Sequence, residues 1–329
     1  MIRLTRAEIR RLLSRRLSLV GALGALAITA GILLSVYQEA KPLPADAQAT
    51  MRADFERAHQ DWESNRKQLT TDCLAAQAQH RATDPNADFH CNDLEPRLEH
   101  WGKPETRFTE LAPEILLGSG YMLGLLAFLI GASFIGAEFS TGSIATWLTF
   151  EPRRLRVYIS KLAAAALVVA PLAVLVVSLL TGGIWLIVDR HGSTTGVTAD
   201  AWSDLSGTAG RIVLLTCASA IVGTAVGLMV RHTAAALGIV IAYLALIEGT
   251  FSGVLQQQQL WLVGPNIRSW IHHGTTYPAL ECSPVADGNY QCSNVDRLLT
   301  FTDSSLYLGL TFALVVALAA LVFHRRDIT

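Results

Sequence analysis

The stretch LAAAALVVAPLAVLVVSLLTGGIWLIV, residues 162–188, decides how this chain folds. It carries no charge and almost no polar side chain, whereas a buried helix of a large soluble protein would show polar positions at helical spacing. A helix rising 1.5 Å per residue crosses the roughly 30 Å hydrocarbon core of a bilayer in about 20 residues, so this run predicts a transmembrane span. Five more runs of that kind lie outward from it, at 17–37, 115–136, 212–230, 233–255 and 306–323. The first exceeds the roughly 7 to 15 apolar residues of a signal peptide, which predicts a retained anchor. Composition agrees: 51% of the 329 residues are hydrophobic and 16% charged, against about a quarter charged in soluble domains. A net charge of -1 leaves no basic face for nucleic acid. The expected fold is an all-α polytopic membrane protein with six transmembrane helices.

Charge sets the expected orientation. Residues 1–16 hold Arg3, Arg6, Arg10, Arg11, Arg15 and Arg16 against one acid, Glu8, and basic residues flanking a first span hold that flank in the cytoplasm. Six crossings then return the tail 324–329, with Arg325 and Arg326, to the same side. Segment 137–161, with Arg153, Arg154, Arg156 and Lys161, and the turn at Arg231 and His232 also face inward. Ile2, Leu4, Ile9, Leu12 and Leu13 interleave with the N-terminal arginines, predicting an amphipathic helix on the inner leaflet, where each basic residue gains roughly 1 kcal/mol from anionic lipid.

The outward segments are 38–112, 189–211 and 256–302. The first has 14 acids and 9 bases. Phe55, Trp62 and Leu69 recur every seven residues in its Gly-free and Pro-free stretch 45–79, which predicts a helix with one apolar stripe. A turn around Asp84, Pro85 and Asn86 and a second helix near 94–101 would complete a hairpin, a cap over the spans or a surface for an extracellular partner. Segment 256–302 is expected to place short interfacial or re-entrant helices at 260–271, on the strength of Trp261 and Trp270. Cys73 and Cys91 fall in the first outward segment and Cys282 and Cys292 in the last. Paired cysteines confined to one face suit an oxidising compartment, so the expected disulfides are Cys73–Cys91 and Cys282–Cys292. No metal site is expected, since CxxC spacing and converging histidines are missing.

After the second span the chain reads GAEFSTGSIATWL over 136–148, followed by Glu151, Pro152, Arg153, Arg154 and Lys161; it closes with Phe323, His324, Arg325, Arg326, Asp327 and Ile328. These stretches, with the six-span layout, resemble the ABC-2 type permeases, the membrane subunits of bacterial ATP-binding-cassette exporters. Ser143 stands where threonine is commoner, and 38–112 is larger than the family minimum. The resemblance implies a multi-pass subunit of the bacterial inner membrane that pairs with a second permease subunit and docks a separate ABC ATPase. The docking element would be a cytoplasmic coupling helix involving Glu138, Phe139, Thr141, Gly142, Ser143, Thr146, Arg153 and Arg154. Phe139, Ile144, Trp147 and Leu148 would hold it to the membrane, with Glu138, Thr141 and Ser143 exposed. The chain lacks the GxxxxGK[ST] phosphate loop and the HExxH and GxSxG motifs, so no catalytic residue or cofactor is expected in it. ATP and Mg would be bound by the partner.

Glu248 lies about 15 residues into the fifth span, where a charge costs at least 2.5 to 3.5 kcal/mol. It reads as half of a structural pair with Arg211, as a dimer contact, as a group on the translocation path, or as a protonated acid facing a cavity. Gly118, Ser119, Gly120 and Gly124 mark close helix packing and a dimer seam. Two other functional classes stay open: an ion-coupled carrier using Glu248, and a membrane protein that presents its disulfide-bonded ectodomain.

Overall fold

In the computed structural model, described for residues 1–81, 87–101, 103, 105–143, 149, 153–250, 260–284 and 290–325, each apolar run is the middle of a longer helix. Helix α1 (Ile2–Leu13) precedes α2 (Arg16–Ala40), the first long apolar helix, and α3 (Ala45–His80) and the one-turn α4 (Leu98–Trp101) follow. Then come α5 (Phe108–Ser140), α6 (Arg154–His191), α7 (Ala199–Val230) and α8 (Thr233–Ala242), which continues as a π-helix over Tyr243–Thr250. The short α9 (Val263–His272), strands β1 (Thr275–Pro284) and β2 (Tyr290–Leu299), and α10 (Phe301–Arg325) complete the order. Six of these helices, α2, α5, α6, α7, α8 with its π-helical end, and α10, are long and apolar enough to cross a membrane.

The helices overrun the apolar stretches because hydropathy measures the part that meets hydrocarbon, whereas backbone hydrogen bonding stops only where a cap ends it. Segment 189–211, expected as a loop, is helical from Ala199 because Thr198 caps α7, its hydroxyl accepting from the Ala201 N–H at 3.2 Å. The last part of the fifth run, 251–255, lies outside the described residues.

Helix α5 is the centre of the bundle. It crosses α7 so closely that a Cβ at Gly131 would run into the Ala220 carbonyl and one at Gly223 into the Phe128 carbonyl. Gly120 and Gly124 of the expected dimer seam also pack inside the chain, against Ile271 and Ile212 and against Ser219, so small residues here close an internal crossing. Helix α6 flanks the pair, with α2 on one side of it and α10 touching both α6 and α7. The outermost helices stay uncovered: 6% of the α8 window, 11% of the α10 window and 17% of the α2 window is buried, against 61% for α5. Surfaces showing Leu310, Leu314, Ile239, Ile241 and Leu246 to the outside are stable only against apolar surroundings.

The two ends of the bundle differ. One gathers α1, the end of α5, the start of α6, the α7–α8 turn and the end of α10, and it is basic. The other gathers α3, α9, the strands and both disulfides, Cys73–Cys91 and Cys282–Cys292. The fold departs from the all-α expectation at the second disulfide. The polar loop anticipated there is an antiparallel hairpin whose register sets Cys282 opposite Cys292 and Thr275 opposite Leu299. Alternate residues Tyr277 and Ala279 bury against Leu299, the period of a strand, and Arg297 is ion-paired with Glu281. The helix expected near 94–101 is reduced to one turn; Phe55 on α3 meets Trp101 edge to face, with ring centroids 6.4 Å apart.

Candidate functional site

The apolar stripe of α1 carries Leu12 into the core beside Phe134, Tyr158 and Leu162. Glu8 is one turn earlier on the same face, so docking Leu12 draws a carboxylate in with it. There it meets Lys161 from the start of α6 and Glu138 from the end of α5. Lys161 Nζ donates to Glu8 Oε1 at 2.9 Å and to Glu138 Oε2 at 2.5 Å. Arg11 Nη1 stands 3.7 Å from Glu138 Oε1. Glu8 and Lys161 are 0% exposed and Glu138 1%. The ring of Phe134 lies under both Lys161 Nζ, at 5.0 Å, and the Arg15 guanidinium, at 5.1 Å, two cation–π contacts that help hold the cations in place.

Burial pushes the Glu8 carboxyl above its ordinary range, opposed by the Lys161 ammonium and reinforced by the Glu138 carboxylate. Among the described residues Glu8 Oε2 has no hydrogen-bond donor. A buried ion network of this kind gains little net stability, yet removing one partner costs about 3–5 kcal/mol because the others stay charged and dry. Its effect is geometric: three segments that are far apart in sequence cannot shift independently.

Between the clamped residues Glu138 and Lys161 the structure describes 139–143, 149 and 153–160. Helix α5 ends at Thr141, followed by Gly142 in the left-handed conformation at φ 65°, as helix C-termini favour; its N–H donates to the Phe139 carbonyl at 3.2 Å. Thr141 and Gly142 are exposed, Ser143 and Phe139 half-buried, and the Arg231 guanidinium covers Phe139 at 5.1 Å. Arg153 is exposed ahead of α6, and Arg154 Nη1 donates to the His324 carbonyl at 3.2 Å, tying α6 to the end of α10. Thr146 lies outside the described residues. Glu138 is a correction to the sequence reading: expected on an exposed face, it is buried, because it answers Lys161. Glu8 was read only as the lone acid among the N-terminal arginines, and Lys161 as an inward-facing charge at the end of the segment that carries the ABC-2 resemblance, neither as a partner of the other. The signal was present in an isolated acid among arginines, four residues before a leucine, and a lysine one residue before an apolar run.

Glu248 and Arg211 are not paired with each other. Glu248 Oε1 accepts the Gly264 N–H at 2.7 Å in the first turn of α9, where the helix dipole favours a negative group. The neighbouring Val263 N–H goes to Tyr243 Oη at 3.1 Å, and Tyr121 Oη donates to the Gly264 carbonyl at 2.9 Å. Arg211 Nη2 instead donates to Thr208 Oγ1 at 3.0 Å, and the guanidinium lies 5.9 Å from the Phe301 ring. The short helix expected within 260–271 is α9, but depth along two spans gave no sign that its backbone would meet Glu248. Beside α9 an apolar cavity of about 530 Å³ opens between α5, α7, α8 and α10, lined by Tyr121, Phe128, Tyr243, Ile267 and Phe312 among others.

Compared with protein-family models the chain gives no match, and a search of curated proteins finds no similar sequence.

Proposed function

We propose that this chain is the permease subunit of a bacterial ATP-binding-cassette exporter of the ABC-2 type, with both termini cytoplasmic. Two permease subunits and two separate ATPases would make the working unit, and ATP and Mg would be held by the ATPases. The observation that carries this reading is the buried Glu8–Lys161–Glu138 junction at the root of the exposed turn that begins at Thr141. A partner pushing on that turn moves α1, α5 and α6 together, because the junction makes them one body, and α5 transmits the motion to α7 through their glycine crossing. Rigid-body displacement of this kind is a standard way to convert a remote chemical step into gating.

The test is co-purification of the tagged chain with an ABC ATPase from its host cell, which this reading expects to be encoded beside it, followed by an ATPase assay in nanodiscs. Thr141→Arg or Gly142→Pro is expected to lower association at least tenfold. Lys161→Met should leave association within twofold while lowering transport per ATP hydrolysed. Association unaffected by every change in segment 137–161, or cargo movement by the purified chain alone, would overturn the proposal. A second reading, an ion-coupled carrier, draws on Glu248 standing at α9 beside the apolar cavity; it requires Glu248→Gln to abolish transport without any ATPase present.

A further inference from the structure

Next to the ionic junction, α2 and α8 both begin, and the space between their first turns and the end of α5 is an open cleft of about 880 Å³. That is within the roughly 300–1,000 Å³ of small-molecule sites. Its described lining holds Arg15, Arg16, Arg231 and His232 and no carboxylate. The α5 wall contributes only neutral residues. Of the acids nearby, Glu8 and Glu138 are turned to Lys161. Arg15 is fixed in place, its Nη1 donating to the Ser133 carbonyl at 3.1 Å.

Two further features have the same sign. Arg15 and His232 occupy the N-cap positions of α2 and α8, and neither helix has a side-chain cap. The first N–H groups of both helices are therefore left to other acceptors, and each helix adds a partial positive charge at this end. The cleft also has a defined depth. It lies where the chain passes from charged to apolar sequence at the start of both helices, which is headgroup level for a bilayer-spanning bundle. Guanidinium forks and helix N-termini are the two protein features best matched to phosphate oxygens.

We propose that this cleft binds a phosphate-bearing anion, at the depth where an anionic phospholipid carries its own phosphodiester. The site is independent of the transporter reading, since it rests on the cleft and its charges alone. Gly136 belongs to it sterically: a Cβ there would strike Thr233, so the glycine lets α5 and α8 close the far wall.

The test uses the full chain purified in uncharged detergent, titrated with dihexanoyl phosphatidylglycerol, dihexanoyl phosphatidylcholine or glycerol 1-phosphate while the unfolding midpoint is followed. Phosphatidylglycerol is expected to raise the midpoint saturably, with an apparent Kd at least tenfold below that of phosphatidylcholine. Arg16→Gln with His232→Gln, both at exposed positions, should weaken it at least tenfold, and His232→Gln alone should move it the same way. Arg3→Gln with Arg6→Gln, an equal or greater loss of charge on α1 outside the cleft, should change it less than twofold. Glycerol 1-phosphate binding as tightly as phosphatidylglycerol would identify a soluble phosphate ester as the ligand; binding tenfold weaker would identify the lipid. No saturable binding of either, or equal weakening by the α1 pair, would overturn the proposal.

Discussion

Lys161 has to satisfy two carboxylates from a fully buried position, and its removal should show that arithmetic directly. Lys161→Met is expected to destabilise the chain by about 3–5 kcal/mol, since Glu8 and Glu138 are left without their main counter-charge. Adding Glu8→Gln and Glu138→Gln should recover most of the loss, because a wholly neutral junction has no charge to desolvate. Unfolding midpoints in detergent measure both; a triple variant no more stable than Lys161→Met would mean that packing alone explains the effect. Glu8 gives a pH signature as well. Its folded pKa is raised from 4.5 by burial, so its contribution to α1 docking is fully present below that value and is lost as pH rises through the folded pKa. The protection of α1 amides relative to their intrinsic base-catalysed exchange rate should therefore fall over that interval in the parent chain, and Glu8→Gln should flatten the slope. At this scale the sequence was only half readable. Arg15 and Arg16 were visible as charge, but no spacing rule connects Glu8 to a lysine 153 positions away.

Among the elements, the crossing of α5 and α7 is the least forgiving. Gly223→Val would drive a side chain into the Phe128 carbonyl, and overpacking of this kind costs about 1–3 kcal/mol or more. A thermal midpoint unchanged from the parent would show that the helices separate freely. The hairpin tests a different force. Its disulfide joins residues separated by 10 positions, for which chain entropy gives about 2–3 kcal/mol. Cys282→Ser with Cys292→Ser should speed amide exchange in β1 and β2 by roughly 30- to 100-fold while leaving α5 unchanged. Helix α3 and the long apolar helices were legible because periodicity and run length survive in the sequence. The strands were not, since their alternation covers only Tyr277, Ala279 and Leu299 and is bracketed by polar residues. The extension of α7 depended on one capping threonine ahead of a segment with mixed polarity.

For the whole molecule, the charge pattern and the structure sort the same residues to the same two ends, but which end faces the cytoplasm is a property of the inserted protein. Thr141→Cys and Asn65→Cys, both exposed, report it with little background, because four native cysteines are paired and Cys217 is half-buried within α7. A membrane-impermeant maleimide applied to intact cells should label Asn65→Cys and spare Thr141→Cys. The reverse pattern would invert the topology and remove segment 137–161 from reach of any cytoplasmic ATPase. Six helices long and apolar enough to cross a membrane were readable from hydropathy, because the cost of placing backbone in lipid leaves helices as the only solution for such runs. A short helix at 260–271 was readable from Trp261 and Trp270, and α9 is that helix; its contact with Glu248 was not, because it is made by hydrogen bonds to backbone rather than by any residue type.

The junction also has a consequence for how the protein is made. Helix α1 is translated well before Lys161, so the ammonium that neutralises its acid is synthesised only when the third hydrophobic helix begins to emerge. Until then α1 has no seat and Glu8 must remain in water, so a nascent chain halted before Lys161 should carry a protease-sensitive leader that becomes resistant once translation passes that codon. The arrival of the third hydrophobic helix is thereby recorded in the state of α1.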